Sequence, residues 1–174
     1  LITHEVTLEE LGQARTKAAE MGRLRNSILG GAGNLAGFVG EIIAHNILGG
    51  IWANTYDYDL ILPDGKTVDA KTKQTSVIPK SDYACNVAAY NTKQKCDYYA
   101  FLRVKNDLTT GWFFGIVPKD WFFDNAQYRE KGTVEPNGFT IRASCYTIPI
   151  SAVEDYYEKE YKPPKEKKGP VAPS

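Results

Sequence analysis

An excess of charge of either sign is missing from this chain. Lys plus Arg and Asp plus Glu each number 21 in 174 residues, so the formal net charge is zero. No global field then draws the whole molecule toward a polyanion, which weighs against a nonspecific nucleic-acid coat. It leaves room for a local basic rim around an acidic site. Cysteine is scarce too: Cys85, Cys96 and Cys145 are widely spaced, odd in number and form no CxxC pair. That pattern supports neither a disulfide framework nor a zinc or iron–sulfur site, and it predicts reduced, buried thiols. Apolar runs are short, none approaching the roughly 18 residues of a membrane span. The first residues also lack the basic-then-apolar layout of a secretory signal. The expectation is an intracellular, cytoplasmic protein with no membrane partner. Gly30-Gly31-Ala32-Gly33 matches neither the P-loop nor the dinucleotide fingerprint and reads as a plain loop.

What is present is a hydrophobic content of 43%, enough for one domain with a real core. Residues 1–161 are expected to form that domain, and the Lys- and Pro-rich tail 162–174 to be disordered. Thr7-Leu8-Glu9-Glu10 is a capping box with Val6 and Leu11 as its staple, opening a helix to about Gly22 with a solvated charged face. Asn34 can cap a second helix, Leu35 to Leu48, stopped by Gly49-Gly50. The period then becomes alternating, predicting strands at 56–62, 67–73, 83–90, 97–104, 112–117 and 139–148. A helix opened by Pro118-Lys119-Asp120 lies between the last two, and a second capping box at Ser151–Glu154 predicts a terminal helix to about Glu160. The order describes an α/β (α+β) domain, a mixed central sheet flanked by helices.

The first strand pair carries the chemistry. Pro63-Asp64-Gly65 fits a three-residue hairpin loop, proline opening a type I turn and glycine closing it in the left-handed conformation. Leu62 then faces Lys66, Asp59 faces Asp69 and Asp57 faces Lys71, all three pairs fixed by the same register. Tyr58, Leu60, Leu62, Val68, Ala70 and Thr72 fall on the other face, where they can pack into the core. Opposed aspartates repel unless something positive sits between them. A hard divalent cation, Mg²⁺ or Mn²⁺, suits such oxygen ligands. Lys71, two residues beyond Asp69, projects from the same face, where an ammonium can orient an attacking water and offset charge on a phosphate. An isolated DxK is common and usually a solvated sheet face; the upstream aspartate and the turn are what raise this one above it.

Tyr58-Asp59-Leu60-Ile61-Leu62 followed by Gly65-Lys66-Thr67-Val68-Asp69-Ala70-Lys71-Thr72-Lys73 resembles the core hairpin of the PD-(D/E)XK nucleases, the restriction-endonuclease-like superfamily. Phe38-Val39-Gly40-Glu41-Ile42-Ile43-Ala44 resembles the helix that precedes it there, which often carries a Gly-Glu pair. The likeness departs after the motif, where Val77-Ile78-Pro79 stands in place of a direct run into a helix. The resemblance implies a restriction-endonuclease-like core and metal-dependent hydrolysis of DNA phosphodiesters, usually leaving a 5′-phosphate. It implies Asp59, Asp69 and Glu41 as metal-binding carboxylates, the Ala70 carbonyl as a backbone ligand and Lys71 as the water-orienting residue. Lys73 and Gln74 are the weaker candidates for touching nucleic acid. Phe38 and His45, one turn on either side of Glu41, argue against a fully solvated helix face there. His45 itself reads equally as a general base and as a satisfied, half-buried histidine. Lys73, Lys80, Lys93 and Lys95 interleave with Tyr83, Tyr90, Tyr98 and Tyr99, a composition compatible with nucleic-acid contact. The aromatics between Trp112 and Phe123 read as core.

The alternatives are a noncatalytic nucleic-acid-binding or assembly protein on the same fold, and an RNA- or structure-specific nuclease. Cutting both strands of a duplex calls for two active sites, so a homodimer is the corresponding expectation.

Overall fold

In the computed structural model, which describes residues 2–25, 35–136 and 138–161, the first helix starts where its capping box predicts. The Glu10 N–H donates to Thr7 Oγ1 at 3.1 Å and the Thr7 N–H returns to Glu10 Oε1 at 2.8 Å, satisfying two otherwise orphaned donors. Helix α1 runs Leu8–Arg25 and α2 runs Leu35–Leu48. The glycine-rich stretch 30–33, the expected cap Asn34 and the tail 162–174 lie outside the described residues.

Among the described residues nine strands form two sheets. The larger has the order β1-β7-β6-β4-β3-β2, with β1 Ile2–Glu5, β2 Ile51–Trp52, β3 Leu60–Ile61, β4 Thr67–Thr75, β6 Tyr98–Lys105 and β7 Thr110–Pro118. Its β4–β6 pair is parallel and its other pairs antiparallel, so the sheet is mixed. A smaller sheet, β5-β9-β8, contains Ala84–Ala88, Cys145–Pro149 and Gln127–Arg129. Helix α3 spans Lys119–Asn125 and α4 spans Ile150–Glu160. The chain is therefore a mixed α+β fold with a six-stranded central sheet. No described helix is long and apolar enough to cross a membrane.

Two apolar clusters form the core. One gathers Val39, Ile42 and Ile43 of α2 with Leu60, Val68, Leu102 and Phe113 of the large sheet. The other joins Tyr99, Phe101, Trp112 and Phe114 to Val87, Phe122, Ile148 and Val153. Strand alternation thus sends Val68 to the first cluster and leaves Asp69 and Lys71 pointing the other way.

Several expectations change. Strand β3 holds only two residues where the alternation predicts a strand from Tyr56, and β1, β2 and β8 carry no usable sequence signal. The capping box at Ser151 is not used. Instead α4 begins two residues earlier, at Ile150 after Pro149, with the Ile150 and Ser151 N–H groups donating to the carbonyls of Tyr83 and Ser81. A neighbouring chain segment supplies the acceptors, so no side-chain cap is needed. Glu10 does not belong to a solvated face: it is buried, with His4 Nε2 2.9 Å from both its oxygens and Asn46 Nδ2 donating at 2.6 Å. It ties β1, α1 and α2 together.

Candidate functional site

The Pro63-Asp64-Gly65 turn forms as its residues dictate. Gly65 has φ 86°, its N–H donates to the Leu62 carbonyl at 2.8 Å, and the Leu62 N–H donates to the Lys66 carbonyl at 2.8 Å. A side chain at that φ would strain the backbone, which is why glycine closes the loop. The register follows: Ile61 pairs with Thr67 and Leu60 with Val68.

Beyond Leu60 the ladder changes. The Asp59 N–H also donates to the Val68 carbonyl, at 2.9 Å, so two consecutive residues meet one partner as in a β-bulge. The chain then folds back, and the N–H groups of Ala53 and Asn54 both donate to the Asp59 carbonyl. The bulge re-aims the Asp59 side chain, whose Oδ2 accepts the Ala70 N–H at 2.8 Å. It also ends the alternation on which the expected Asp57–Lys71 pair depends. Asp57 Oδ1 accepts the Lys95 N–H at 3.0 Å instead.

Glu41 reaches the same place from α2. That helix lies close on β4 because residue 40 is glycine: a Cβ there would run into the Thr72 side chain. Glu41, Asp59 and Asp69 are 5%, 8% and 4% exposed. They line, with Ala70 and Lys71, a cleft of about 300 Å³ whose other wall includes Asn54, Tyr56 and Gln94. All four side chains read from the sequence as catalytic thus share one cleft.

Burial pushes the Asp59 carboxyl up to about 8, and the adjacent Glu41 carboxyl adds to the rise while the Ala70 N–H opposes it. Burial also lifts Asp69 to about 7, with the Asp59 charge raising it further and Lys71 working in the opposite direction. Glu41 moves upward as well, chiefly through burial. Carboxyls held this way bind a proton or a cation far more readily than carboxyls in water.

Two oxygens of the cluster, Glu41 Oε1 and Asp69 Oδ2, are buried and receive no hydrogen bond. Asp69 Oδ2 does stand 2.8 Å from Lys71 Nζ, as an ion pair without hydrogen-bond alignment. In donor chemistry this set fits a hard divalent cation. In geometry it is not a ready-made cage, since no group of three or more His, Cys, Asp or Glu side chains converges as a metal site among the described residues. A cation taken up here would have to draw Asp69 away from Lys71.

Gln94 is the residue that sequence reasoning misses. It is buried, accepts from Lys71 Nζ through Oε1 at 2.8 Å and donates from Nε2 to the Tyr56 carbonyl at 2.9 Å. Its own carbonyl accepts from Lys119 Nζ. Nothing in the local pattern around a loop glutamine announces such a post.

The weaker candidates lie elsewhere. Lys73 and Gln74 are exposed, and neither lines the acidic cleft. His45 Nε2 contacts the Gly50 carbonyl at 2.8 Å, so it closes the end of α2 and takes no part in the cleft. The three cysteines are free thiols, Cys85 and Cys145 buried and Cys96 half-buried. The aromatics Trp112, Phe113, Phe114 and Phe122 are buried in the two cores.

Comparison with family models finds none that matches this chain, and comparison with curated proteins finds no match either.

Proposed function

We propose that the chain is a Mg²⁺- or Mn²⁺-dependent nuclease that hydrolyses DNA phosphodiester bonds at the cleft between α2 and the β3–β4 hairpin. The observation that carries the reading is the gathering of three buried carboxyls, Glu41, Asp59 and Asp69, beside the Lys71 ammonium in one solvent-reaching cleft. Burying three acids together is costly, and a stability role alone gives no return for it. The resemblance to the PD-(D/E)XK nucleases assigns the same four residues to one centre, independently of the burial.

In this reading Asp59, Asp69, Glu41 and the Ala70 carbonyl would hold a divalent cation, which when bound would supply Lewis-acid polarisation of the phosphoryl group and charge compensation. Lys71 acts at the phosphate. Gln94 Oε1 accepts from its Nζ at 2.8 Å and would keep the ammonium oriented at the cleft once a cation had drawn Asp69 Oδ2 out of its 2.8 Å ion pair with Lys71. From there it donates to the attacking water or to a phosphate oxygen and stabilises charge as the P–O bond breaks. The Glu41–Asp59 contact fixes the carboxylates at the cleft wall.

Two observations favour a second reading. The Lys71–Asp69 ion pair, and the lack of a converging ligand set among the described residues, suit a noncatalytic protein that binds nucleic acid through the same cleft. Incubation with plasmid, linear duplex, branched and single-stranded DNA and with RNA, in Mg²⁺ and in Mn²⁺, separates the two and reads the substrate class. Cleavage that disappears in Lys71→Ala supports the nuclease. An inactive wild type that binds these nucleic acids supports the binding protein.

A further inference from the structure

The two central strands place two cations side by side. In the parallel β4–β6 pair, Lys71 is in register with Phe101 and Lys73 with Arg103. Like charges in neighbouring positions on one sheet face destabilise each other. Around them no acid compensates: among the described residues no carboxylate forms an ion pair with Lys73 or Arg103. Arg103 Nη2 donates to the Ala84 carbonyl at 2.9 Å, and its guanidinium lies 5.2 Å from the Tyr83 ring centroid. Lys73 Nζ has a long contact of 3.5 Å with Asn86 Oδ1. Although Lys73 reaches solvent, partial desolvation at the sheet face holds its ammonium below the usual lysine range, and the Arg103 charge lowers it further.

These cations line a cavity of about 320 Å³ between the faces of the two sheets. Arg142 and Lys71 also line it, making four cationic side chains, and Phe101, Phe114 and Phe139 supply aromatic wall. Among the described residues no Asp or Glu lines it. The cavity adjoins the acidic cleft, Lys71 and Asn91 bordering both. Lys71 and Lys73, two residues apart on one strand face, are separated by roughly 6.6 Å, a step of the order of that between successive phosphates of a nucleic-acid strand. Cationic groups without a counterion beside aromatic surface match a phosphate bearing a nucleoside.

We propose that this cavity is a nucleotide subsite, binding the phosphate next to the scissile one through Lys73, Arg103 and Arg142, with the attached base against the aromatic wall. The proposal rests on the nuclease reading for what lies in the adjoining cleft. A strand crossing from one to the other passes Lys71.

Titration calorimetry on the full chain in EDTA tests it with deoxyadenosine 5′-monophosphate, inorganic phosphate and a single-stranded octanucleotide. The monophosphate binds, and more tightly than phosphate. Lys73→Gln and Arg142→Gln each weaken it about tenfold, whereas Lys73→Arg retains it. For the octanucleotide, Lys73→Gln lowers the slope of log affinity against log salt by about 1. Lys73→Gln also melts no lower than wild type without ligand, since it removes a repulsion. Failure of the monophosphate to bind, equal affinity for phosphate, or affinities unchanged in both Gln variants would overturn the proposal. A salt slope for the octanucleotide indifferent to Lys73 would overturn the placement on a strand. Cleavage with an unaltered KM in Lys73→Gln removes this subsite and leaves the nuclease standing. Lys73-dependent nucleotide binding in a protein that cleaves nothing supports the subsite and removes only the hydrolysis.

Discussion

The Lys71 ammonium lies 2.8 Å from Asp69 Oδ2, two residues back on the same strand, with the two side chains 15% and 6% exposed. Side chains two apart share a face but are not in contact by strand geometry alone. Gln94, reaching in from the loop before β6, takes the other side of the ammonium at 2.8 Å, so a lysine that would otherwise sweep solvent is fixed at the cleft.

Removing that charge separates catalysis from folding. Lys71→Ala is expected to lose cleavage by about 10²–10³-fold while the protein stays folded and the carboxylates still take up metal. Lys71→Gln keeps most of the stem and a donor, so an equal loss there points to charge over packing. Gel assays of cleavage beside anisotropy measurements of DNA binding check this. Undiminished cleavage by well-folded Lys71→Ala would refute the assignment.

Metal should stabilise the native chain, since a cation between Asp59 and Asp69 binds the folded state and scarcely the unfolded one. At a hundred times its Kd the gain is about 2.7 kcal/mol, or roughly 5–10 °C in Tm for a chain of this size. Scanning calorimetry with and without Mn²⁺ measures it. The same rise in Asp69→Asn would put the ion elsewhere.

The metal-free protein should have an inverted acid response. Asp59 and Asp69 bind protons up to about 8 and about 7 in the folded chain, against about 3.9 unfolded. Between those limits the native state holds more protons than the unfolded state, so stability falls as pH rises from about 4 to 8. The contribution is complete below the unfolded value and lost through the folded ones. Urea melts in EDTA from pH 5 to 9 follow it, and Asp59→Asn flattens the curve. A wild type whose stability rises across that range contradicts the burial argument.

Gly40→Ala probes how Glu41 arrives. The new Cβ meets the Thr72 side chain, so α2 must lift from β4, at a cost of about 1–3 kcal/mol. Cleavage at a temperature where the variant is fully folded should still be reduced, because Glu41 moves with the helix. Full activity there would show that Glu41 needs no such placement.

Glu10 offers a test away from the cleft. Glu10→Ala strips the Thr7 N–H, His4 and Asn46 of their shared acceptor, and should destabilise by about 2–3 kcal/mol in urea melts. DNA cleavage at 25 °C should be unaffected. A change below 0.5 kcal/mol would mean, on the usual scale for surface sites, that the cluster contributes little.

How far the site is legible in the sequence depends on the range of the interactions that build it. Thr7 and Glu10 satisfy each other three residues apart, and Pro63-Asp64-Gly65 closes its own turn. Both are local chemistry and can be read directly. From that turn the hairpin register extends as far as Leu60. Asp57 lies just past the bulge, and there the extrapolation fails. Short strands such as β2 and β8 have too few residues for a period to show.

By itself, then, the sequence determined the turn, the register it imposes and the choice of face for Val68 against Asp69, because alternation along a paired strand leaves no freedom once the loop is set. Only the tertiary structure decided that Glu41 on α2 would share a buried cleft with Asp59 and Asp69, that Gln94 would hold Lys71, and that Lys73 would lie beside Arg103. Those pairings join residues about 20 or more positions apart, through a helix packed on a sheet and a parallel strand crossing. Local propensity carries no record of such contacts, since they form only when the faces that bury the core come together.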